Sequence, residues 1–463
     1  MTEPATPSFA TLQLPPSLAR AIQVLGFGGM TPVQEHALPA LLAGRDVIAQ
    51  ARTGSGKTVA FGLGLLARMD VEGDRVQALV LCPTRELADQ VGAEVRRLAR
   101  FIPNLRVVTL CGGVPVRAQT PSLQVAPHVV VGTPGRILDH LQRGTIDLAG
   151  LRVLVLDEAD RMLDMGFLDA ISAVVERAPR QRQTLLFSAT WPDEIRSLSR
   201  SLQDDPVEVT VDTTAPAGDV EQLFFDVAPA HKGEALVALL LHYRPETALV
   251  FCQTRNDVRD VASGLAERGF SVLALHGEMD QRERDEALLR FANRSCAVLV
   301  ATDVAARGLD IKGLSAVVSW ELPPDPDVHL HRIGRTGRAG GKGLSLALVA
   351  PRETGRAAAV EAHTGVAAAW TELPAVTGTP APAPMTTLTI DGGRQDKLRP
   401  GDLLGALTGD VGLPGDAIGK INIVARRAYV AVRRERAEAA LRGLRAGKIK
   451  GRTFRVARLG SAG

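Results

Sequence analysis

Short apolar runs separated by amphipathic stretches dominate the first 370 residues. Six such runs fall in the first half, at 46–50, 78–82, 107–110, 129–131, 153–156 and 184–187. Helical spacing of apolar positions lies between several of them, as at 59–69 and 86–101. Brief apolar runs predict strands buried on both faces, and their alternation with helices predicts a parallel sheet covered by helices on both sides.

The same alternation restarts after a segment rich in Asp, Thr, Pro, Ala and Gly at 204–219, which predicts a linker. Four further runs follow, at 248–251, 272–275, 297–301 and 316–320. A second break at 371–384 is rich in Pro and Ala and predicts a semi-stiff spacer.

The remaining tail changes character. Its pattern predicts strand, helix, strand, strand, helix and strand at 386–390, 401–407, 418–424, 428–432, 434–445 and 452–456. This β-α-β-β-α-β order is that of a ferredoxin-like module. We therefore predict an α/β chain with two doubly wound parallel-sheet domains, 1–208 and 220–370, linkers at 209–219 and 371–384, and a small ferredoxin-like α+β domain at 385–463.

Charge is distributed unevenly along these segments. The 463-residue chain has a net charge of +3, but from Pro380 onward it carries 16 Lys and Arg against 7 Asp and Glu. The tail is therefore +9 and everything before it −6. A basic module on an otherwise acidic chain favours a polyanionic partner, above all nucleic acid, over a merely solvated basic face.

Other compositional signals narrow the setting. We find no signal-peptide pattern and no membrane-spanning run, so we expect a cytoplasmic protein with no membrane partner. The four cysteines are scattered and embedded in apolar stretches, which favours buried, reduced thiols over zinc sites or disulfides.

A glycine-rich segment directly follows the first predicted strand and precedes a helix. Such a loop wraps backbone N–H groups around nucleotide phosphates, its lysine reaches the outer phosphates, and its threonine hydroxyl can ligate Mg²⁺. A chance glycine-rich turn would not bring strand, loop, Lys-Thr and helix in this order. The nucleotide-binding candidates are Ala51, Arg52, Thr53, Gly54, Ser55, Gly56, Lys57 and Thr58.

Acidic residues follow the predicted strand at 153–156. Asp157 is a candidate Mg²⁺ ligand, acting through water, and Glu158 is a candidate general base for an attacking water. Acidic residues also favour helix N-termini for electrostatic reasons alone. That alternative does not explain why these follow a buried strand, so the two motifs together predict nucleotide hydrolysis.

The second half has no phosphate loop, but it has an arginine cluster at 331–338. Arginine stabilises charge on a transferring phosphoryl group, so Arg335 and Arg338 are candidate arginine fingers if the second sheet closes over the nucleotide. Asp303, Arg307 and Asp310 follow another predicted strand, where they could contact ribose.

Taken in order, these motifs resemble those of DEAD-box RNA helicases over about the first 370 residues. The resemblance rests on Phe9, Gly26-Phe27, Thr31 to Gln34, the phosphate loop, Pro83 to Leu87, Gly112-Gly113, Thr133 to Arg136, Asp157 to Asp160, Ser188 to Thr190, Val250 to Cys252, Gln281 with Arg284, Ala301 to Asp310, and His331 to Arg338. So many ordered motifs are highly specific.

The resemblance implies two RecA-like domains and several residue roles. Phe9 would stack on adenine and Gln34 would hydrogen-bond to it, which selects ATP. Asp160, Ser188, Thr190 and His331 would couple hydrolysis to domain closure. The residues that would grip an RNA backbone are Thr84, Arg85, Gly113, Thr133, Arg136, Arg284 and Thr302. Such contacts carry no sequence information.

The tail resembles the C-terminal, RRM-like RNA-binding domain of the DbpA subfamily, on the segments 389–393, 398–409, 418–421 and 447–452. The resemblance implies binding to a hairpin of large-subunit (23S) ribosomal RNA and to large-subunit precursors in ribosome assembly. RNA-recognition motifs stack bases on sheet aromatics, but this tail offers only Tyr429 and Phe454. We therefore expect basic contacts from Arg394, Lys397, Arg399, Lys448, Lys450 and Arg452.

The sequence thus predicts an RNA-dependent ATPase and RNA helicase that uses ATP and Mg²⁺, with RNA as partner and no obligate protein partner. Two alternatives remain open. One is an ATP-gated RNA clamp that does not unwind. The other is a DNA helicase or translocase, which the RNA-type motifs and the tail disfavour.

Overall fold

The computed structural model describes residues 7–51, 54–211, 220–306, 313–337 and 343–460. The chain divides into two units, one formed by 1–215 with 307–310 and the other by 216–306 with 311–463. The first is built on a seven-stranded parallel sheet of order β3-β4-β2-β5-β6-β1-β7. Amphipathic helices pack their apolar faces against both sides of this sheet, as the alternating pattern predicts.

The elements of the first unit alternate almost strictly after two opening helices. They are α1 (Pro16–Val24), α2 (Pro32–Ala43), β1 (Val47–Gln50), α3 (Lys57–Leu66), β2 (Ala78–Leu81), α4 (Arg85–Leu98), β3 (Val107–Leu110), α5 (Val116–Gln119), β4 (Val129–Gly132), α6 (Pro134–Gln142), β5 (Val153–Asp157), α7 (Ala159–Asp164), α8 (Leu168–Val175), β6 (Gln183–Ser188), α9 (Asp193–Leu202) and β7 (Val207–Thr210).

The strand order places the predicted chemistry at one edge. Strands β5, β6 and β1 are neighbours and run parallel, so their carboxyl ends lie side by side. Asp157 ends β5, Ser188 ends β6, and the phosphate loop follows β1. Residues far apart in sequence therefore meet at the carboxyl edge, where open parallel sheets bind their ligands.

The second unit begins with another seven-stranded parallel sheet, of order β10-β11-β9-β12-β13-β8-β14. Its elements are β8 (Val220–Asp226), α10 (Lys232–Tyr243), β9 (Ala248–Cys252), α11 (Arg255–Glu267), β10 (Val272–Leu275), α12 (Gln281–Ala292), β11 (Val298–Thr302), α13 (Asp303–Ala306), β12 (Ala316–Ser319), α14 (Pro326–Ile333), β13 (Gly343–Val349), α15 (Thr354–Thr364) and β14 (Ala369–Trp370).

The tail forms a four-stranded antiparallel sheet of order β16-β17-β15-β18, with its helices packed on one face. Its elements are β15 (Met385–Ile390), α16 (Pro400–Gly405), β16 (Ile418–Ile423), β17 (Ala428–Arg433), α17 (Ala437–Ala446) and β18 (Val456–Arg458). The predicted fold class, two doubly wound parallel-sheet domains and a small ferredoxin-like domain, is confirmed.

The structure differs from the sequence-based elements in several places. The last strand lies at Val456–Arg458 rather than 452–456, because Arg452 instead closes a tight bridge with Ile449. Strand Val207–Thr210 lies inside the stretch at 204–219 that we interpreted as linker. Only one of its four residues is buried, so an edge strand of this kind leaves little apolar signal. Strands β8 and β13 were also not predicted.

The open face of the tail sheet is covered by the second RecA-like sheet domain. Thr387 of β15 accepts a hydrogen bond from Asn293 Nδ2 (2.9 Å) and donates one to Ser295 Oγ (2.8 Å). Tyr429 of β17 donates its hydroxyl hydrogen to Glu286 Oε1 of α12 (3.2 Å). Thr387 and Tyr429 are 2% and 6% exposed. The opposite face of the same strands carries the tail's apolar core.

Two arginines lie close to the Glu286 carboxylate at this contact. Arg427 Nη1 lies 3.5 Å from its Oε1, and Arg282 Nε of the same helix donates to it at 3.0 Å. The carboxylate is therefore shared between the helix that carries it and the tail.

Elsewhere, no helix among the described residues is long and apolar enough to cross a bilayer. The four cysteines are free and buried, as predicted.

Reversing the charge of Glu286 should release the tail from the second domain. In Glu286→Arg, attraction to Arg282 and Arg427 becomes repulsion and the Tyr429 hydroxyl loses its acceptor. A loss of about 2 kcal/mol for bonds to a charged group corresponds to a roughly thirtyfold shift toward the undocked form. Small-angle scattering should show a larger radius of gyration, and protease cleavage within 371–384 should accelerate.

The matched control is Glu267→Arg, the same charge reversal at an exposed position of α11 in the same domain. It should leave both readouts at their wild-type values. Equal scattering and cleavage for Glu286→Arg and the wild-type protein would contradict the assigned role of this contact.

Candidate ATP and RNA site

A buried ion pair joins the phosphate loop to the acidic strand end. Lys57 begins α3 directly after Gly56, whose φ of +92° is the left-handed conformation that glycine adopts without strain. The Lys57 Nζ lies 2.9 Å from Asp157 Oδ1 and 3.8 Å from Glu158 Oε1. All three side chains are nearly fully buried. The structure thus brings together the three residues that the sequence selected for phosphate binding and hydrolysis.

The electrostatics of this pair are set by burial. Burial raises the pKa of the Asp157 carboxyl, and the Lys57 ammonium only partly opposes it. Burial alone would lower the pKa of Lys57, but Asp157 and Glu158 outweigh that effect and raise it. A second cation near Asp157 would further stabilise its charged form, and Mg²⁺ takes oxygen ligands. Asp157 and the Thr58 hydroxyl therefore suit a nucleotide-bound Mg²⁺.

Backbone geometry also singles out Glu158. Its φ is +55°, a left-handed conformation that is uncommon for a residue with a side chain. It lies between the end of β5 and the start of α7, with Arg161 Nε 3.6 Å from its Oε2. Strained backbone of this kind costs of order 1–3 kcal/mol and is concentrated at functional sites.

Asp160 connects this edge to the end of β6. Its Oδ2 accepts hydrogen bonds from the backbone N–H groups of Ala189 (3.1 Å) and Thr190 (3.1 Å) and from the Thr190 hydroxyl (3.0 Å). Ser188 donates its hydroxyl hydrogen to the Thr190 carbonyl (2.6 Å). The residues expected to couple hydrolysis to closure therefore form one hydrogen-bonded group in the first unit, apart from His331.

Gln34 lies against the phosphate loop. Its Oε1 accepts from the Thr31 backbone N–H (2.9 Å), and its Nε2 donates to the Gly56 carbonyl (3.0 Å). Phe9 is 6% exposed, and its ring centroid lies 6.1 Å from that of Phe27. The segment expected to recognise adenine is thus held directly to the loop expected to bind phosphate. Arg52 and Thr53 lie outside the described residues.

The expected RNA-gripping residues of the first unit lie at helix N-termini and on the Gly112-Gly113 turn. Thr84 caps α4, with its hydroxyl accepting from the Leu87 N–H (3.2 Å), and Thr133 is the N-cap residue of α6. The Arg85 guanidinium lies so close to Gly113 that a Cβ there would collide with it. Arg136 donates to the Val114 carbonyl (2.6 Å). Arg85 and Arg136 therefore both contact the loop that follows β3.

Asp303 has a different role from the ribose contact that the sequence suggested. Arg332 is 1% exposed, and its Nε and Nη2 donate to Asp303 Oδ1 (2.8 Å) and Oδ2 (2.7 Å). Its Nη1 donates to Ser319 Oγ (3.1 Å) and to the Glu321 carbonyl (2.7 Å), and its guanidinium carbon lies 5.0 Å from the Phe251 ring centroid. Asp303 thus neutralises a buried arginine.

The rest of the arginine cluster is partly described. Arg335 is 7% exposed and follows α14, and His331 lies within that helix. Arg307, Asp310 and Arg338 lie outside the described residues. Arg284 of α12 donates to the Ala305 carbonyl (3.5 Å), and the Thr302 hydroxyl accepts from the Ala305 N–H (3.2 Å). Arg284 and Thr302, the two expected RNA contacts of the second domain, therefore lie at the same turn.

The six basic residues expected to bind RNA in the tail lie on two adjoining loops. Lys450 Nζ donates to the Lys397 carbonyl (2.8 Å) and lies 3.6 Å from Asp402, and Arg452 lies 3.8 Å from Asp396. All six are exposed, namely Arg394, Lys397, Arg399, Lys448, Lys450 and Arg452. Phe454 packs against Gly392 instead of presenting a ring on the sheet, and Tyr429 is engaged with Glu286.

Sequence reasoning missed several supporting residues. Gln50 donates to the Ala189 carbonyl (3.3 Å), and Gln119 contacts Arg136. Arg332 was noticed only as a member of the arginine cluster. Gln50 and Gln119 lie outside the motifs, and the partners of all three residues lie on other elements, so no local pattern could have identified these contacts.

Comparison with known proteins agrees with this geometry. Residues 31–198 match the family model of DEAD/DEAH box helicases, 231–340 match the helicase conserved C-terminal domain, and 387–458 match the DbpA RNA binding domain. The ATP-dependent RNA helicase DbpA of Escherichia coli is 54% identical over 97% of this chain and 99% of its own length.

More distant relatives share the helicase part. The DEAD-box helicase CshA of Geobacillus kaustophilus is 42% identical over 77% of this chain and 76% of its own length. The structure of Saccharomyces cerevisiae Dbp5 bound to RNA and ADP BeF3 covers 79% of this chain and 96% of its own, at 32% identity with a TM-score of 0.73. Mss116 bound to ssRNA and UDP-BeF gives 0.71 at 28% identity, with 79% of each chain covered.

Two parallel sheets with one phosphate loop, an acidic strand end beside it and these relatives define an ATP-dependent RNA helicase of the DEAD-box class, an RNA-dependent ATPase. The third domain identifies the subfamily. Residues 387–458 match the DbpA RNA binding domain, and a DbpA helicase matches this chain over nearly its whole length. The chain belongs to the DbpA subfamily of DEAD-box helicases.

Removing the charge of Asp303 should destabilise the second domain. In Asp303→Asn the buried Arg332 loses its counter-charge, and breaking a buried pair from one side costs about 3–5 kcal/mol. The midpoint of urea unfolding, followed by the fluorescence of Trp320 in a protein whose Trp191 and Trp370 are replaced by Phe, should fall accordingly. Asp327→Asn is the matched control, because Asp327 lies on the same helix as Arg332 in a partly exposed pair with His363 and should cost less than about 1 kcal/mol. An equal loss of unfolding free energy in Asp303→Asn and Asp327→Asn would show that Asp303 is not needed to neutralise Arg332.

Proposed function

We propose that this helicase is targeted by its tail to a hairpin of 23S ribosomal RNA and acts on large-subunit precursors during ribosome assembly in the cytoplasm. The observation that carries the proposal is the match of the tail to the DbpA RNA binding domain, together with its exposed basic loops at 394–399 and 448–452. The covered sheet face supports recognition by these loops rather than by bases stacked on sheet aromatics.

In the proposed cycle, the first unit binds ATP. Phe9 and Gln34 take the adenine, and the backbone N–H groups of residues 51–58 cradle the phosphates. Lys57 moves from Asp157 to the outer phosphates, since a phosphate chain carries more negative charge than one carboxylate. Thr58 and Asp157 would hold Mg²⁺, which when bound would neutralise part of the phosphate charge. Glu158 then orients the attacking water and takes its proton.

Domain closure supplies the remaining groups in this proposal. Arg335 and Arg338 stabilise the transferring phosphoryl group, and Asp310 contacts the nucleotide. Asp160, Ser188, Thr190 and His331 link the two halves, because a group that holds the acidic motif can also sense the partner domain. RNA binding also favours the closed form, because both domains contact the RNA backbone. The contacts come from Thr84, Arg85, Gly113, Thr133 and Arg136 in one domain and from Arg284 and Thr302 in the other.

Strand separation follows from gripping and bending one strand locally. The clamp alternative shares all of these contacts and differs only in whether the duplex is disrupted, so an RNA strand-displacement assay separates the two. RNA rather than DNA is supported by the relatives, since DbpA of Escherichia coli is an RNA helicase and the Dbp5 and Mss116 structures contain bound RNA.

Replacing the proposed base should uncouple binding from chemistry. Glu158→Gln keeps the size of the side chain but cannot accept the proton of the attacking water, so RNA-stimulated hydrolysis should fall by roughly 10²–10⁴. Affinities for ATP and for RNA should stay close to wild type. The control is Glu176→Gln, at an exposed position of the same domain. Hydrolysis at the wild-type rate in Glu158→Gln would remove the residue from this role.

Targeting should depend on the basic loops of the tail. Lys448→Ala/Arg452→Ala should raise the concentration of 23S hairpin RNA needed for half-maximal ATPase activity by about tenfold or more, because two charged contacts that only the folded hairpin makes with the tail would be lost. The requirement for an unrelated RNA should change little at the same salt concentration.

The matched control removes the same charge elsewhere in the tail, as Arg436→Ala/Arg442→Ala, both at exposed positions. It should leave the preference for the hairpin intact. A preserved preference in the loop variant would place specificity outside these loops.

A further inference from the structure

Gln119 connects three parts of the first domain that are separate in sequence. Its Oε1 accepts from Arg136 Nη1 (2.7 Å) and lies 3.0 Å from His140 Nε2, and its Nε2 donates to the Cys111 carbonyl (3.0 Å). Arginine can only donate, so the amide oxygen must face Arg136 and the amide nitrogen must face Cys111. The orientation of the Gln119 side chain is thus fixed by its neighbours.

Behind Gln119 the contacts continue into a buried histidine. His140 is 0% exposed, and its Nδ1 lies 2.7 Å from Thr145 Oγ1. Since Gln119 Oε1 is an acceptor, the His140 Nε2 must carry the hydrogen. Burial and the nearby Arg136 lower the pKa of His140, which favours the neutral ring. The histidine therefore holds Gln119 in place without adding a charge beside Arg136.

The consequence for Arg136 is geometric. Both hydrogens on its Nη1 are used by protein acceptors, the Val114 carbonyl (2.6 Å) and Gln119 Oε1 (2.7 Å). What remains is the edge formed by Nε and Nη2, which is the fork that binds a phosphate through two parallel hydrogen bonds. Asp139 could compete for this edge, but it lies 4.0 Å from Nε and accepts a hydrogen bond from Arg143 at 2.6 Å.

The same contacts hold the loop next to Arg136. Gln119 holds Cys111, Arg136 holds Val114, and Arg85 lies against Gly113 between them. Gly113 has a φ of +74°, which glycine adopts without strain, and the contacts at Cys111 and Val114 restrict this flexible turn on both sides. Arg85, Gly113 and Arg136, three of the proposed RNA contacts, are therefore connected through one loop.

We propose that Gln119, supported by His140, is a positioning residue for RNA binding that presents the Nε–Nη2 edge of Arg136, and through Arg136 the 112–115 loop, to successive phosphates of one strand. This inference rests on the proposed role of Arg136 as an RNA contact. It assigns Gln119 no contact with ATP and no chemical step.

The test is RNA-stimulated ATPase activity of the full chain at fixed salt, across concentrations of an unstructured RNA. Gln119→Met keeps the shape of the side chain and loses its hydrogen bonds. It should raise the RNA concentration for half-maximal activity by about tenfold, the scale of a bond to a charged group. The maximal rate at saturating RNA and the KM for ATP should stay within about twofold of wild type. Gln124→Met, at an exposed position five residues further on, should change none of these values.

A double-mutant cycle separates this inference from the proposed function. If Gln119 acts through Arg136, Gln119→Met/Arg136→Ala should need no more RNA than Arg136→Ala alone, within about twofold. Effects that multiply would overturn the inference, as would a wild-type RNA requirement in Gln119→Met when Arg136→Ala is impaired. A wild-type requirement in Arg136→Ala would instead overturn the proposed RNA contact itself.

A second variant covers the case in which Gln119→Met does not fold. His140→Leu removes the donor to Gln119 Oε1, whereas His140→Gln keeps an uncharged amide donor at the same place. His140→Leu should raise the RNA concentration for half-maximal activity by about threefold or more, and His140→Gln should stay within about twofold of wild type. A folded His140→Leu with the wild-type RNA requirement would overturn the inference.

Discussion

The buried charge pair between Lys57 and Asp157 is the constraint on which the first domain depends. An ammonium and a carboxylate without exposed surface are tolerable only as partners, because an isolated buried ion costs several kcal/mol. The pair also fixes geometry, since one partner begins the helix after the phosphate loop and the other ends the strand two positions away in the sheet. Glu158 shares the same ammonium, which keeps the proposed base beside the loop.

The same requirement recurs wherever a charge is buried. Asp160 is satisfied by the backbone and hydroxyl donors at the end of β6, and Arg332 by Asp303 and two further acceptors at the ends of neighbouring elements. In each case a charged side chain joins elements that are distant in sequence. A change at one element therefore alters the electrostatic environment of another, which supports the proposed coupling of nucleotide state to the positions of the motifs.

The tail shows how a fold can be reused with a different surface. Its sheet has the topology of an RNA-recognition motif, but the face that would stack bases is covered by the second RecA-like domain through Thr387 and Tyr429. The positive charge lies instead on two exposed loops that touch through Lys397 and Lys450. Covering the sheet removes this face from the surface available to bases, which supports the proposed recognition of RNA through electrostatic contacts of the loops.

The sequence alone determined the fold class, the positions of most strands along the chain, the phosphate loop, the acidic motif and the charge of the tail. These features are local, because buried strands, glycine-rich turns and charge runs are each formed by consecutive residues. The edge strand at Val207–Thr210 escaped, since only one of its residues is buried. Tertiary structure alone decided that Asp303 neutralises Arg332, that Gln119 holds Arg136, and that Glu286 binds the tail. Each of these pairs joins residues from separate elements, and the partner of a buried or shared charge is set by packing in three dimensions, which no local pattern records.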